Sequence, residues 1–262
     1  MKLNLTNEKM LIGMVHLEPL PGTPLFEGDL NKVYARAVQD ALALKQGGIA
    51  ALMIENAGDI PFPKHLDSVQ TACLAAITFA IKRETGLLVG IDAAFCDYLA
   101  ALSSAKAATA DFVRLAVFVD NVATASGVIE ACAQQALRYR KQIEASEIAI
   151  LADIHVKYSH TLIPEISLLE SAKNAQASLA DGIIVTGAYS GNETPIDLVK
   201  KVKSVVSIPV FVGSGVDEHN VREQLAIADG AIVGTSLKTA RDGRQMIDPA
   251  KVQQLTSRLK GA

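Results

Sequence analysis

Cysteine is scarce in this chain: Cys73, Cys96 and Cys132 are the only three among 262 residues. An odd, widely spaced set with no paired-ligand pattern supports neither a disulfide framework nor a structural zinc site. Blocks of one charge are missing as well. The 25 Lys and Arg are scattered among 28 Asp and Glu, for a net charge of −3 and a pI near 6. That balance argues against a nucleic-acid partner. There is no long apolar run. The longest stretch without a charge, Ser68 to Ile81, is 14 residues and contains Gln70, Thr71 and Thr78. A membrane span needs about 20 apolar residues. Met1 to Met10 is polar and has no apolar signal-peptide core. Nor does a Gly-x-Gly-x-x-Gly open a helix after the first apolar run, and there is no Walker loop, so no cofactor is expected. These absences together predict a cytoplasmic protein with reduced thiols.

What is present is hydrophobic mass. Half of the residues are hydrophobic and one fifth charged, enough for a chain of this length to hide roughly three quarters of its unfolded surface. No Pro/Ser-rich linker or low-complexity tract divides it, so residues 1–262 are expected to form one domain. Short continuous apolar runs recur at Leu11–Val15, Ile49–Ile54, Leu87–Ile91, Phe112–Val117, Ile148–Ala152, Gly182–Val185, Pro209–Val212 and Ala231–Val233. Such runs are what strands covered on both faces require. Helical periodicity fills the gaps: Leu30–Lys45, Ser68–Glu84, Tyr98–Ala107, Ala125–Ile143, Glu165–Leu179, Pro195–Val205, Glu218–Ala226 and Pro249–Leu259. Eight strands alternating with eight helices predict an α/β fold, a closed (β/α)8 barrel of eight parallel strands. The alternative is an open, doubly wound sheet.

Active sites of such barrels lie at the carboxyl ends of the strands. Strand one ends in His16, on the same face as Ile12 and Met14 by period two. Strand two ends in Glu55-Asn56-Ala57-Gly58-Asp59, two carboxylates and an amide that could orient a substrate, move protons or form a turn before Pro61. Strand five continues into Asp153-Ile154-His155-Val156-Lys157. Alternation predicts Asp153, His155 and Lys157 on one face, where the amine could serve as base, Schiff-base nucleophile or anion ligand. Its structural alternative is an Asp153–Lys157 ion pair bracing the rim. Strands seven and eight end in Gly213-Ser214-Gly215 and Gly234-Thr235-Ser236. Glycines let backbone amides approach an anion, and loops at these two positions are a common phosphate site. Thr186-Gly187, after strand six, adds a hydroxyl-bearing loop. Arg114, inside an apolar strand, needs a carboxylate such as Asp92 or an anionic ligand. Cys96 and Cys132 read as core thiols.

At these residues the chain resembles the BtpA family, named for a role in photosystem I biogenesis and including the SgcQ-type proteins. The matching pieces are Ile12-Gly13-Met14-Val15-His16-Leu17 with Pro19-Leu20-Pro21-Gly22, and Glu55 to Phe62. Further on they are Asp153 with Val156-Lys157, Val185-Thr186-Gly187, Gly213 to Val216, and Asp229 to Lys238. The likeness runs from about Leu11 to Leu259. It implies a phosphate-binding barrel, and for SgcQ-type members a nucleosidase-like activity. The chain also departs from the family pattern. Asp92-Ala93-Ala94-Phe95-Cys96-Asp97 stands where the family reads Asn-Val-Leu-Arg-Asn-Asp, and only Asp97 matches. Arg114-Leu115-Ala116 replaces Arg-Val-Asn, and Tyr158 occupies a slot often held by His, with His160 two residues on.

Two functions are therefore expected in competition. One is an enzyme acting on a small phosphorylated metabolite, a phosphosugar or nucleotide-like compound, by lyase, isomerase or nucleosidase-type chemistry. Its phosphate would sit on the last two loops, with Lys157, Asp153, Glu55, His155 and His16 catalytic. Asn56, Asp59, Asp92, Arg114, Thr186 and Gly187 would contact substrate. Glu55, Asp59 or Asp153 could also hold a divalent metal. The other function is a non-catalytic assembly factor that keeps an anion-binding barrel. Self-association is compatible with either.

Overall fold

An apolar strand with no polar face must be covered on both sides, and eight of them in parallel solve that problem by closing on themselves around a shared interior. The computed structural model describes residues 9–241 and 244–260. Its barrel strands are β1 Met10–His16, β2 Ala51–Glu55, β3 Leu88–Asp92, β4 Phe112–Leu115, β5 Ala149–Ile154, β6 Gly182–Val185, β7 Val210–Val212 and β8 Gly230–Val233. Each pairs in parallel with the next in chain order, and β8 closes on β1 through Met10↔Gly230 to Gly13↔Val233. Closure leaves no edge, so the open-sheet alternative is excluded. Helices α1 Leu30–Gln46, α2 Ser68–Thr85, α3 Tyr98–Ala107, α4 Ala133–Gln142, α5 Leu168–Ala177, α6 Ile196–Lys203, α7 Val221–Ile227 and α8 Pro249–Lys260 follow the strands in order. The polar Met1–Met10 segment falls largely on residues 1–8, outside the described residues. Among the described residues, no helix is long and apolar enough to cross a membrane.

Strand parity divides the core in two. Val15, Leu52, Ile54, Ile91, Val113 and Ile150 face outward into the large cluster beneath the helices. Ile12, Met14, Met53, Phe112, Leu151, Ile184, Phe211 and Ile232 fill the barrel interior. The two interior phenylalanines need room on neighbouring strands. A Cβ on Gly90 would lie 2.0 Å from the Phe112 ring, and one on Gly230 would lie 2.5 Å from Phe211. Full burial of each ring contributes about 1.5–3 kcal/mol, so the missing methyls are cheap by comparison.

Carboxylates start several of the helices. Asp29 and Asp97 each accept two amides of the first turn, and Asp67 forms a capping box with Gln70. Asp97 also accepts Leu66 N at 2.9 Å, which ties α3 to the loop between β2 and α2. The segment expected to be helical from Ala125 to Ile143 is helical only from Ala133. Val122–Thr124 and Gly127–Ile129 instead form a hairpin turning at Gly127 (φ +91), with His160–Thr161 as its third strand. β-Branched residues on either side of a glycine favoured a hairpin over a helix here. A second hairpin, Lys238–Arg241 with Arg244–Ile247, precedes α8 and has no counterpart in the sequence reading. The three cysteines are free thiols and buried.

Candidate functional site

The inward parity that builds the interior continues one step beyond the apolar residues. Above Met14, Met53, Phe112, Leu151 and Gly90 come His16, Glu55, Arg114, Asp153 and Asp92. Above Ile184, Phe211 and Ile232 come Thr186, Gly213 and Gly234. The ionisable groups come from β1 to β5 and the small ones from β6 to β8. A cavity of about 530 Å³ opens over this layer.

The charged half is a connected network. Arg114 lies at the centre, 6% exposed. It donates through Nε and Nη2 to both oxygens of Asp153, each at 2.8 Å, and through Nη1 to Asp92 Oδ2 at 3.1 Å. Burial works against the guanidinium charge, but Asp153 and Asp92 outweigh it and hold Arg114 firmly cationic. For Asp92, burial and the nearby Glu55 and Asp153 charges prevail over Arg114 and raise its pKa to about 7. Glu55 goes the other way. Burial pushes it up, but the His16 hydrogen bond and the His16, Arg114 and Lys157 charges bring it to about 2.

His16 Nε2 sits 3.3 Å from Glu55 Oε2, and its Nδ1 pairs with the Lys238 amine. An ammonium on one side and a carboxylate on the other select the tautomer with the proton on Nε2. Burial pushes the Lys238 amine below its ordinary range, although the Asp40 and Glu55 charges oppose this. Lys157 also lines the cavity and is half-buried. Burial lowers its pKa, the Arg114 charge adds to the effect, and Asp153, Glu55 and Asp92 resist.

The small half is built from backbone. Ser214 Oγ accepts Gly187 N at 2.7 Å, and Ser236 Oγ donates to Val216 O at 2.7 Å, so the two serines stitch neighbouring loops together. Gly215 has φ +70, and a Cβ there would lie 2.3 Å from the backbone of Glu193. Only glycine meets both demands. Among the described residues, the backbone N–H groups of Gly215 and Thr235 meet no intramolecular acceptor. Ser190 and Gly191 complete the rim on this side, where Ser190 N donates to Tyr158 Oη at 2.9 Å.

Of the residues singled out in the sequence, His16, Glu55, Asp92, Arg114 and Lys157 line the cavity with Gly213, Ser214, Gly215, Gly234, Thr235 and Ser236. Others lie elsewhere. β5 ends at Ile154, and His155 has φ +46, which breaks the alternation expected to run on to Lys157. His155 turns away to place Nε2 3.2 Å from Ser171 Oγ on α5. Lys157 reaches the cavity through the turn, not through strand parity. Asp153 lies beneath the cavity, paired with Arg114 and not with Lys157 as the structural alternative had it. Asn56 and Asp59 are fully buried braces. Asp59 accepts Leu20 N, Asn56 Nδ2 and Gln70 Nε2 at 2.8, 3.0 and 2.8 Å, and Asn56 Oδ1 accepts Ala94 N. Neither lines the cavity, nor do Thr186 and Gly187, which sit behind Ser214. Glu55, Asp59 and Asp153 thus do not converge. Among the described residues, no group of three His, Cys, Asp or Glu side chains could hold a metal ion. The sequence reading missed Lys238. It directly follows Gly234–Leu237, but its partner His16 is 222 positions away.

Known proteins resemble this chain in sequence and in fold. A protein of Thermococcus kodakarensis is 41% identical over 237 residues, 90% of this chain and 88% of its own. The photosystem I biogenesis protein BtpA of Synechocystis sp. is 37% identical over 246 residues, 92% of this chain and 85% of its own. Among solved structures, thiamine phosphate pyrophosphorylase from Pyrococcus furiosus has the same fold. It matches with a TM-score of 0.59 at 18% identity over 98% of this chain and 97% of its own. None of the three lends support to the nucleosidase-type activity implied by the resemblance. The BtpA family model matches residues 7–261, nearly the whole sequence, and the chain belongs to the BtpA family.

Proposed function

We propose that the barrel mouth binds a small phosphorylated metabolite and acts on it by proton transfer. The observation that carries this reading is the two-sided cavity. One wall offers unengaged amides at Gly215 and Thr235, on glycine loops after β7 and β8, and the facing wall is a network of ionisable side chains. Backbone amides suit an anion of fixed size, and the one carboxylate on this wall, Asp217, accepts the His219 and Asn220 amides. The metabolite's reacting end then meets Asp92, Lys157 and the Glu55–His16 pair. Asp92, near pH 7, can both give and take a proton at neutral pH. Glu55 stays ionised and orients His16. The fold neighbour, by its name a thiamine phosphate pyrophosphorylase, makes a phosphorylated ligand a natural choice for such a barrel.

The test is thermal-shift titration with inorganic phosphate, ribose 5-phosphate and a nucleotide. Stabilisation should reach roughly 2.7 kcal/mol at 100 times the dissociation constant. The named role of the Synechocystis relative favours a second reading, an assembly factor that keeps the anion site without turnover. Both readings require binding, and only the first requires a product.

A further inference from the structure

We infer that Lys157 forms an imine with its ligand, so that the phosphorylated metabolite of the preceding reading is an aldehyde or ketone. The inference rests on that reading for the phosphate and on the surroundings of Lys157 for the carbonyl. Each carboxylate near this amine is already engaged. Glu55 faces His16, Asp153 is held at both oxygens by Arg114, and Asp92 takes the remaining Arg114 nitrogen. Among the described residues, no carboxylate lies within 4 Å of the Lys157 amine and no acceptor takes a hydrogen bond from it. An amine whose work was structural would be paired, because a half-buried cation without a partner has nothing to offset the hydration it has lost.

Clamping the phosphate is a poor account of it. The free amides stand at the other wall, and the charges that Lys157 feels are those of Arg114, Asp153, Glu55 and Asp92. A fixed guanidinium nearby disfavours a second cation and leaves the amine free to act as a nucleophile, as in lysines that form Schiff bases.

The chemistry balances without a cofactor. The neutral amine attacks the carbonyl carbon, a C–N bond forms, and the carbonyl oxygen takes a proton from Asp92. The carbinolamine nitrogen returns its proton to the Asp92 carboxylate. The hydroxyl then leaves as water with that proton, and the protonated imine left behind returns its N–H proton to the Asp92 carboxylate to give the imine. One carbonyl and one amine give one imine and one water, and hydrolysis reverses the sequence.

The experiment incubates the whole chain with dihydroxyacetone phosphate or glyceraldehyde 3-phosphate. Sodium borohydride then reduces the C=N bond to a stable secondary amine, and peptide mass spectrometry maps the product. Lys157 should be labelled at least about tenfold more heavily than any exposed lysine. Unphosphorylated glyceraldehyde should label it less. The Lys157→Arg variant should lose the label while keeping the thermal shift produced by inorganic phosphate. If wild-type Lys157 is labelled no more than surface lysines while phosphate still stabilises the fold, the imine is overturned and the binding reading stands. If neither labelling nor stabilisation is seen, both fall.

Discussion

Asp92 and Glu55 are neighbours across β2 and β3, paired in register, yet their titrations are driven apart. That difference has a consequence for stability that can be measured without a substrate. Asp92 rises from an ordinary 3.8 to about 7 in the folded chain. Its contribution is complete below pH 3.8 and is lost as pH rises through 7, because the folded state then binds more protons than the unfolded one. Asp92→Asn removes this loss, so the variant should gain on wild type between pH 5 and pH 8. Each 1 kcal/mol gained is about 2–4 °C in Tm for a chain of this size, and melting curves at the two pH values check it. Glu55, lowered from 4.5 to about 2, has the opposite sign: its contribution is present above pH 4.5 and lost as pH falls through 2. A second residue-scale prediction concerns His16. Nitrogen NMR should find its proton on Nε2, and Lys238→Met should mix the tautomers by removing the donor at Nδ1. Glu55 was legible as the polar end of an apolar strand and Asp92 as a carboxylate for Arg114, and strand parity made His16 legible, since Ile12, Met14 and His16 share a face. It failed at Lys157 because a positive φ at His155 is not written in the alternation, and Lys157 came to the cavity through a turn.

Between elements, Arg114 joins β4 to β3 and to β5 through Asp92 and Asp153. Arg114→Met would leave two carboxylates buried without their cation. A loss of roughly 3–5 kcal/mol is expected, read by chemical denaturation, and it should shrink when Asp92→Asn is added. Gly215→Ala tests the loop after β7. With φ +70 and no space beside Glu193, the alanine should cost at least ~1–3 kcal/mol. At this scale apolar runs and helical periods located the eight strand–helix units. They did not locate the hairpin at Val122–Ile129, where alanines at 123 and 125 mimic a helical pattern and the deciding third strand, His160–Thr161, is distant in sequence. The brace at Asp59 was hidden for the same reason, because its partners Leu20 and Gln70 lie in other segments.

Over the whole molecule the barrel divides labour around its mouth. Charged groups from β1 to β5 face small residues and backbone from β6 to β8, and that asymmetry is the basis on which we propose a ligand with an anionic end and a reacting end. The sequence carried both halves as motifs. What it could not carry was which polar groups are spent on holding the rim, as Asn56, Asp59 and the Ser214 and Ser236 hydroxyls are. The anion-binding wall is the central claim, and Thr235 offers a direct way to challenge it. Its side chain is exposed while its amide faces no acceptor, so Thr235→Glu places a negative charge at the wall without disturbing the core. Calorimetric titration of ribose 5-phosphate into both proteins is the deciding measurement. Saturable binding to wild type at one site per chain, weakened at least about tenfold, or 1.4 kcal/mol, in Thr235→Glu, is the predicted result. Equal binding to both proteins, or heat from neither, would contradict the placement of an anion on these loops.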